Sequence, residues 1–175
     1  TLPFSTTTNG ISVQMNDFNF EYPDGNKALK NINLTIEPNS VVCISGEEGA
    51  GKTTLLKVLT GNYSDFTGSI LLNNIPINNY KLETLRNKIG VYLHQQDIFI
   101  GTVVENISMG KSDITLERIT AIAQQLGLQN FLHHLHYGFE TEIDPAGKKL
   151  PSTIAKKILL LRAFANDPHL LLLEE

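Results

Sequence analysis

Long apolar runs are absent from this sequence. No stretch approaches the roughly 18–20 residues that a helix needs to cross a bilayer, and the N-terminus carries no secretory pattern. The chain as given is therefore expected to be soluble. Basic charge is also scarce: 14 lysines and arginines against 18 aspartates and glutamates leave a formal net charge of -4. A nucleic-acid binder usually shows a basic face, so no nucleic-acid partner is expected. Cysteine occurs once, at Cys43, which excludes an internal disulfide framework. Set inside Val41-Val42-Cys43-Ile44, it reads as a small buried hydrophobe, in keeping with a cytoplasmic protein. Internal repeats and low-complexity tracts are lacking too.

What is present fits an ordinary globular protein. Hydrophobic residues make up 41% and charged residues 18% of 175 residues, enough for one well-cored domain with a subdomain but not for two full domains. Residues 1–9 are polar and threonine-rich and read as a linker. Ile11, Val13, Met15, Phe18 and Phe20 give a broken period-two alternation, hence a strand. Turn chemistry follows at Tyr22-Pro23-Asp24-Gly25-Asn26, and Leu29, Ile32, Leu34 and Ile36 resume strand spacing, so the opening predicts an antiparallel sheet. Residues 41–45 have the β-branched, apolar character of a buried parallel strand. A helix is predicted over 53–60, stopped by Gly61. Further strands are predicted at 69–72 and 89–93, with a short helix over 81–87. From 97 to about 158 the pattern is mainly helical, with Ile119, Ile122, Ala123, Leu126 and Leu128 on one face. Another helix covers 158–165, and residues 170–173 form a wholly apolar strand.

The chemistry concentrates at Gly46-Glu47-Glu48-Gly49-Ala50-Gly51-Lys52-Thr53. This octet satisfies G-x-x-x-x-G-K-[ST], the pattern of a loop whose backbone N–H groups turn inward around phosphate oxygens. Glycine is needed where a side chain would block that approach or where φ is positive. The following helix, carrying Thr54, Leu55 and Leu56, brings its positive end to the anion. Lys52 would reach the terminal phosphates, and the Thr53 hydroxyl would ligate Mg²⁺. Glu47 and Glu48 would repel a polyphosphate and are expected to point to solvent.

Around this loop the sequence resembles the ABC ATPases, in particular exporter-type subunits, over nearly its whole length. Tyr22, in Phe20-Glu21-Tyr22-Pro23-Asp24-Gly25, is similar to the family's aromatic that stacks on adenine, a contact worth about 1–3 kcal/mol. A plain strand-end tyrosine covering the core edge is the alternative. His94-Gln95-Gln96-Asp97 resembles the Q-loop, whose glutamine meets Mg²⁺ and the attacking water; Gln95 is the first choice and Gln96 the second. The stretches 101–107 and 141–147 resemble exporter segments. Leu170-Leu171-Leu172-Leu173-Glu174-Glu175 resembles the Walker B region, which implies that Glu174 attends the metal through water and Glu175 is the catalytic carboxylate.

The resemblance implies an α/β fold: a P-loop NTPase (RecA-like) core with an N-terminal antiparallel β subdomain and a helical subdomain. The boundaries it suggests are a linker at 1–10, the β subdomain and P-loop core at 11–93, the Q-loop and helical subdomain at 94–157, and the return to the core at 158–175. It implies ATP and Mg²⁺ as ligands. The implied partners are an exporter's transmembrane domain, on the same or a separate chain, and a second nucleotide-binding domain, with work at the cytoplasmic face of the cell membrane.

Two departures qualify it. The family's Leu-Ser-Gly-Gly-Gln signature is matched only by Leu150-Pro151-Ser152-Thr153-Ile154. Without its glycines, close backbone approach to a γ-phosphate is harder, though Ser152 could cap the helix that follows. The metal-side acid is Glu174 where the family usually has aspartate. The family's later aspartate loop and histidine switch lie outside this chain, which as given is expected to bind nucleotide better than it hydrolyses it. Alternatives are a non-hydrolysing regulatory half-site and a non-transport ABC-class ATPase. His133, His134 and His136 lack further ligands at zinc spacing and read as a solvated helix end. Lys148-Lys149 and Lys156-Lys157 read as a solvated face. A GTPase is disfavoured because Asn26-Lys27 and Asn87-Lys88 have no aspartate two positions after the lysine.

Overall fold

The computed structural model describes residues 1–5, 10–94, 96–144 and 151–174, with the main chain alone at 132. Gln95, Gly147, the Lys148-Lys149 pair, Leu150 and Glu175 lie outside the described residues. The chain divides into two compact units, Thr1–Ile89 and Gly90–Glu175.

In the first unit, β1 (Val13–Glu21) pairs antiparallel with β2 (Lys27–Ile36) on one side and with β3 (Thr67–Leu72) on the other, and β4 (Ile75–Pro76) extends the sheet to the order β2-β1-β3-β4. The break in the alternation of β1 has a cause. Its register shifts between Met15 and Phe18, where Asp17 adopts φ 44° and donates its N–H to Asn33 Oδ1 at 3.0 Å. This bulge returns Phe18 to the face of Met15, so both are buried although three positions apart. Gly68 lies opposite: a Cβ there would sit 2.4 Å from the Asp17 carbonyl. The turn at Asn73 and Asn74, with φ 49° and 63°, joins β3 to β4, as asparagine's tolerance of the left-handed region allows.

The helix α1 (Lys52–Leu59) buries Thr54, Leu55, Val58 and Leu59, the period-3.6 face seen in the sequence. It ends at Gly61, φ 75°. A 3₁₀ turn (Ile77–Asn79) and α2 (Leu82–Arg86) complete the unit. The opening residues are anchored rather than loose: Leu2 bridges Tyr80, and Phe4 is buried with its ring 4.9 Å from that of Tyr80.

The strand predicted over 41–45 does not form. Those residues carry no strand assignment, Val41 is fully exposed, and Val42 and Cys43 are exposed as well. The buried-hydrophobe reading of Cys43 is thereby corrected. A β-branched run becomes a strand only where a neighbour supplies ladder partners, and residues 41–45 enter none of the sheets of the described residues.

The second unit is a helical layer with short strands. β5 (Ile89–Tyr92) and β8 (Leu170–Leu173) make a two-stranded sheet, and β6 (Gly101–Thr102) pairs antiparallel with β7 (Glu142–Ile143). The latter pair was hidden inside the stretch read as helical, being too short for a periodicity signal. Helices α3 (Val103–Ser108), α4 (Leu116–Gln125) and α5 (Ser152–Ala165) pack around Val103, Ile107, Ile119, Phe131, Ile158 and Leu161. Each such fully buried side chain contributes about 1.5–3 kcal/mol. Thr102 and Glu105 form a reciprocal capping box on α3, and Gly127, φ 67°, follows α4. β8 is less covered than its four leucines suggested: Leu172 is buried, but Leu171 and Leu173 are exposed. Among the described residues no helix is long and apolar enough to cross a membrane.

Candidate nucleotide-binding site

The glycine-rich octet bends where its glycines stand. Gly49 and Gly51 have φ 79° and 88°, values that cost any other L-residue about 1–2 kcal/mol. Gly51 is constrained twice, because a Cβ there would lie 2.5 Å from the Ala28 carbonyl oxygen and 3.0 Å from Leu29 Cδ2. β2 therefore abuts the loop at the position where only glycine fits. A turn closes within the octet as the Ala50 N–H donates to the Glu47 carbonyl at 3.2 Å. Lys52 folds back over it, Nζ donating to the carbonyls of Gly46 and Glu47 at 2.7 and 2.8 Å. Gly46, Glu47, Glu48, Gly49 and Ala50 are all exposed. Gly51 stands at the N-cap of α1, and no side-chain hydrogen bond caps the helix start, the end of a helix that favours an anion. Main-chain N–H groups, the Lys52 ammonium and the Thr53 hydroxyl are donors of the kind a phosphate group calls for.

Tyr22 stands just past β1, its N–H donating to the Asn26 carbonyl at 2.9 Å. Its ring meets Phe20 at 4.9 Å and 80°, and Tyr63 at 6.1 Å and 86°. Its hydroxyl shares a 3.0 Å hydrogen bond with Thr54 Oγ1. Tyr22 is thus brought to the first turn of α1. Tyr63, in the loop after α1, carried no motif by which the sequence could single it out. Burial, with the adjoining Tyr22 phenol, raises its pKa above 10.0.

In the second unit, Glu174 follows β8. Its N–H donates to the Tyr92 carbonyl at 2.8 Å, and its Oε2 accepts the His94 N–H at 3.0 Å with His94 Nδ1 at 3.5 Å. The acid is therefore joined to the residue immediately before Gln95. Gln96 is turned inward: Nε2 donates to the Val91 carbonyl and Oε1 accepts the Leu93 N–H, both at 3.1 Å. Both ends of its amide are therefore engaged with the main chain at the end of β5.

Beyond this point a hub appears that sequence reasoning missed. Asn106 is wholly buried; its Oδ1 accepts the Phe99 N–H at 3.0 Å, and its Nδ2 donates to the carbonyls of Phe99 and Thr102 at 3.0 Å. Arg162 reaches it from α5, donating to the Asn106 carbonyl at 2.7 Å, to its Oδ1 at 3.2 Å and to the Asp97 carbonyl at 3.0 Å. Burial lowers the Arg162 pKa, opposed by Asp97. The segment 97–106 is thus held by the hydrogen bonds of Asn106 and Arg162 rather than left as a free loop. Ser152 does not cap α5: Pro151 takes the N-cap, its carbonyl accepting from Ile154 and Ala155 at 2.8 and 3.1 Å, and Ser152 is the first helical residue, exposed. Proline's fixed φ, here -53°, sets that boundary. Among the described residues no group of three or more His, Cys, Asp or Glu could hold a metal ion.

Comparison with known proteins decides the family. The ABC transporter model matches residues 29–175. The chain belongs to the ABC transporter family. It is similar to a fatty acid ABC transporter ATP-binding/permease protein of Mycobacterium bovis, 32% identical over 163 residues that make up 93% of this chain and 26% of that protein. It is also similar to a putative multidrug export ATP-binding/permease protein of Staphylococcus aureus, 34% identical over 158 residues, 90% of this chain and 27% of that protein. Among solved structures, a bacterial Atm1-family ABC exporter with ATP bound superposes with a TM-score of 0.85 and 25% identity, covering 95% of this chain and 29% of that one. This ABC domain is of the exporter's ATP-binding kind, and it spans about a quarter of the length of the curated relatives it matches.

Proposed function

We propose that this ABC domain binds Mg-ATP at the octet 46–53 and hydrolyses it within a longer exporter, moving a membrane-embedded partner domain through closure on a second nucleotide-binding domain. The observation that carries the reading is the loop itself: left-handed Gly49 and Gly51, Lys52 folded over the loop carbonyls, and an uncapped helix start directly behind. Phosphoryl transfer asks a protein chiefly for positioning and charge neutralisation. Lys52 supplies the cation; Gly46, Glu47, Glu48, Gly49, Ala50 and Gly51 supply main-chain groups; Thr53 supplies a hydroxyl and Thr54 a main-chain group at the helix start; Tyr22 supplies a platform for the base.

Mg²⁺, when bound, neutralises charge between the phosphates. Thr53 would hold it directly, with Gln95 and Glu174 attending, the latter partly through water. Glu175 would orient the hydrolytic water, and Leu150 and Ser152 would serve the site of the facing domain. Its likeness to ATP-binding/permease proteins and to an exporter supports a transmembrane partner and a place at the cytoplasmic face of the membrane. The test is single-turnover hydrolysis in the full-length protein with Glu175→Gln. Loss of turnover with Mg-ATP still bound is expected; a retained wild-type rate would remove Glu175 from its role.

The segment Leu150-Pro151-Ser152-Thr153-Ile154 favours a second reading, in which the half-site built by this signature binds without hydrolysing. Robust steady-state turnover by a homodimer of the full-length protein would exclude it.

A further inference from the structure

Tyr22 is restrained from more directions than a strand-end residue requires. Its main chain is fixed by the turn that returns to Asn26. Its ring is flanked by Phe20 and Tyr63 at near right angles, and these two rings pack on each other at 4.7 Å and 60°. Its hydroxyl is bound to Thr54 Oγ1 at 3.0 Å, and Thr54 is itself buried in the first turn of α1. The side chain is thus held both through its ring and through its hydroxyl.

We propose that Tyr63 is a positioning residue for Tyr22: with the Thr54 hydroxyl it locks the Tyr22 ring at one orientation and one distance from the phosphate loop, so that the base platform is set before nucleotide arrives. This rests on the reading that Tyr22 carries the base. The physical content is preorganisation. A tyrosine free to rotate must be ordered when the base lands, and that ordering weakens binding; a tyrosine already braced avoids the loss. The Thr54 bond adds register, because Thr54 follows Thr53 directly and a shift of α1 would carry the platform with it. Tyr63 lies between α1 and β3, so it ties the platform to the loop downstream of the phosphate site.

The experiment is titration calorimetry on the full-length protein with two probes: Mg-ATP, which has a base, and Mg-tripolyphosphate, which has none. Tyr63→Ala is expected to weaken Mg-ATP by about 3- to 10-fold, the scale of ordering one side chain, and to leave Mg-tripolyphosphate unchanged. Tyr63→Phe, which keeps the ring but loses the hydroxyl that bonds Tyr22, is expected to bind Mg-ATP more tightly than Tyr63→Ala, and Tyr63→Leu is expected to behave as Tyr63→Ala should the latter not fold. In a Tyr22→Ala background Tyr63→Ala should have no further effect. Equal losses on both probes, an unchanged loss in the Tyr22→Ala background, or no loss at all would overturn the positioning role while leaving Tyr22 in place. If Tyr22→Ala alone left Mg-ATP binding intact, the base-platform reading would fall, and the positioning role with it.

Discussion

Replacing Gly51 with alanine, beside the same change at Gly49, separates two things that a glycine-rich loop can require. Both residues occupy the left-handed region, with φ 88° and 79°, so each alanine incurs about 1–2 kcal/mol of backbone strain. At Gly49 nothing lies within 4 Å of the new methyl, and the strain is the whole effect. At Gly51 the methyl would meet the Ala28 carbonyl oxygen at 2.5 Å and Leu29 Cδ2 at 3.0 Å. The carbonyl belongs to β2 and cannot swing away as a long side chain would, so the loop or the strand must move. Overpacking of this kind adds about 1–3 kcal/mol. For a chain of this size each kcal/mol lowers Tm by about 2–4 °C. Gly51→Ala is therefore expected to unfold roughly 4–8 °C below Gly49→Ala for a central difference of about 2 kcal/mol. Thermal unfolding without nucleotide reads this difference directly. Equal midpoints, or a Gly51→Ala variant as stable as wild type, would refute the claim that β2 sets the loop's approach.

Asn106→Ala strands the Phe99 N–H and two carbonyls and removes an acceptor from the Arg162 guanidinium; at about 1–3 kcal/mol per stranded group, a loss of roughly 3–5 kcal/mol in urea unfolding is expected, and less than about 1 kcal/mol would contradict the hub. Alkaline pH supplies another check. Burial raises the pKa of both Tyr63 and Tyr80 above 10.0, with Tyr22 contributing at Tyr63. A raised folded value means stability that is complete below the unfolded value and lost as pH climbs through the folded one. Unfolding free energy should therefore be flat up to about pH 10 and fall beyond it, with Tyr80→Phe reducing the slope; a slope unaffected by Tyr80→Phe would count against its share.

Much of this was legible beforehand because the signals are local. The octet fixes two glycine conformations, and the β1 alternation even carried its bulge as the odd spacing between Met15 and Phe18. Other features were hidden for physical reasons. Residues 41–45 have strand composition, but a strand also needs partners, which no single segment encodes. Asn106 looked like one more polar residue because its importance comes from three main-chain groups and Arg162, far apart in sequence. The Thr102–Glu105 capping box, by contrast, was there to be read in T-x-x-E. Ser152 lost its capping role to a neighbour, since Pro151 sets the helix start first. The motif put Gln95 before Gln96 without showing that the Gln96 amide bonds to the main chain of Val91 and Leu93, contacts that depend on how the chain turns after β5.

The central claim is that the turn formed by residues 46–53 grips the phosphates of a nucleotide. Calorimetric titration of the folded protein with Mg-ATP, wild type against Lys52→Ala, tests it most directly. The account predicts saturable binding for wild type and about 10- to 150-fold weaker binding for the variant, as loss of a charge-assisted contact implies. Absence of heat from folded wild-type protein, or equal affinity in Lys52→Ala, would contradict it.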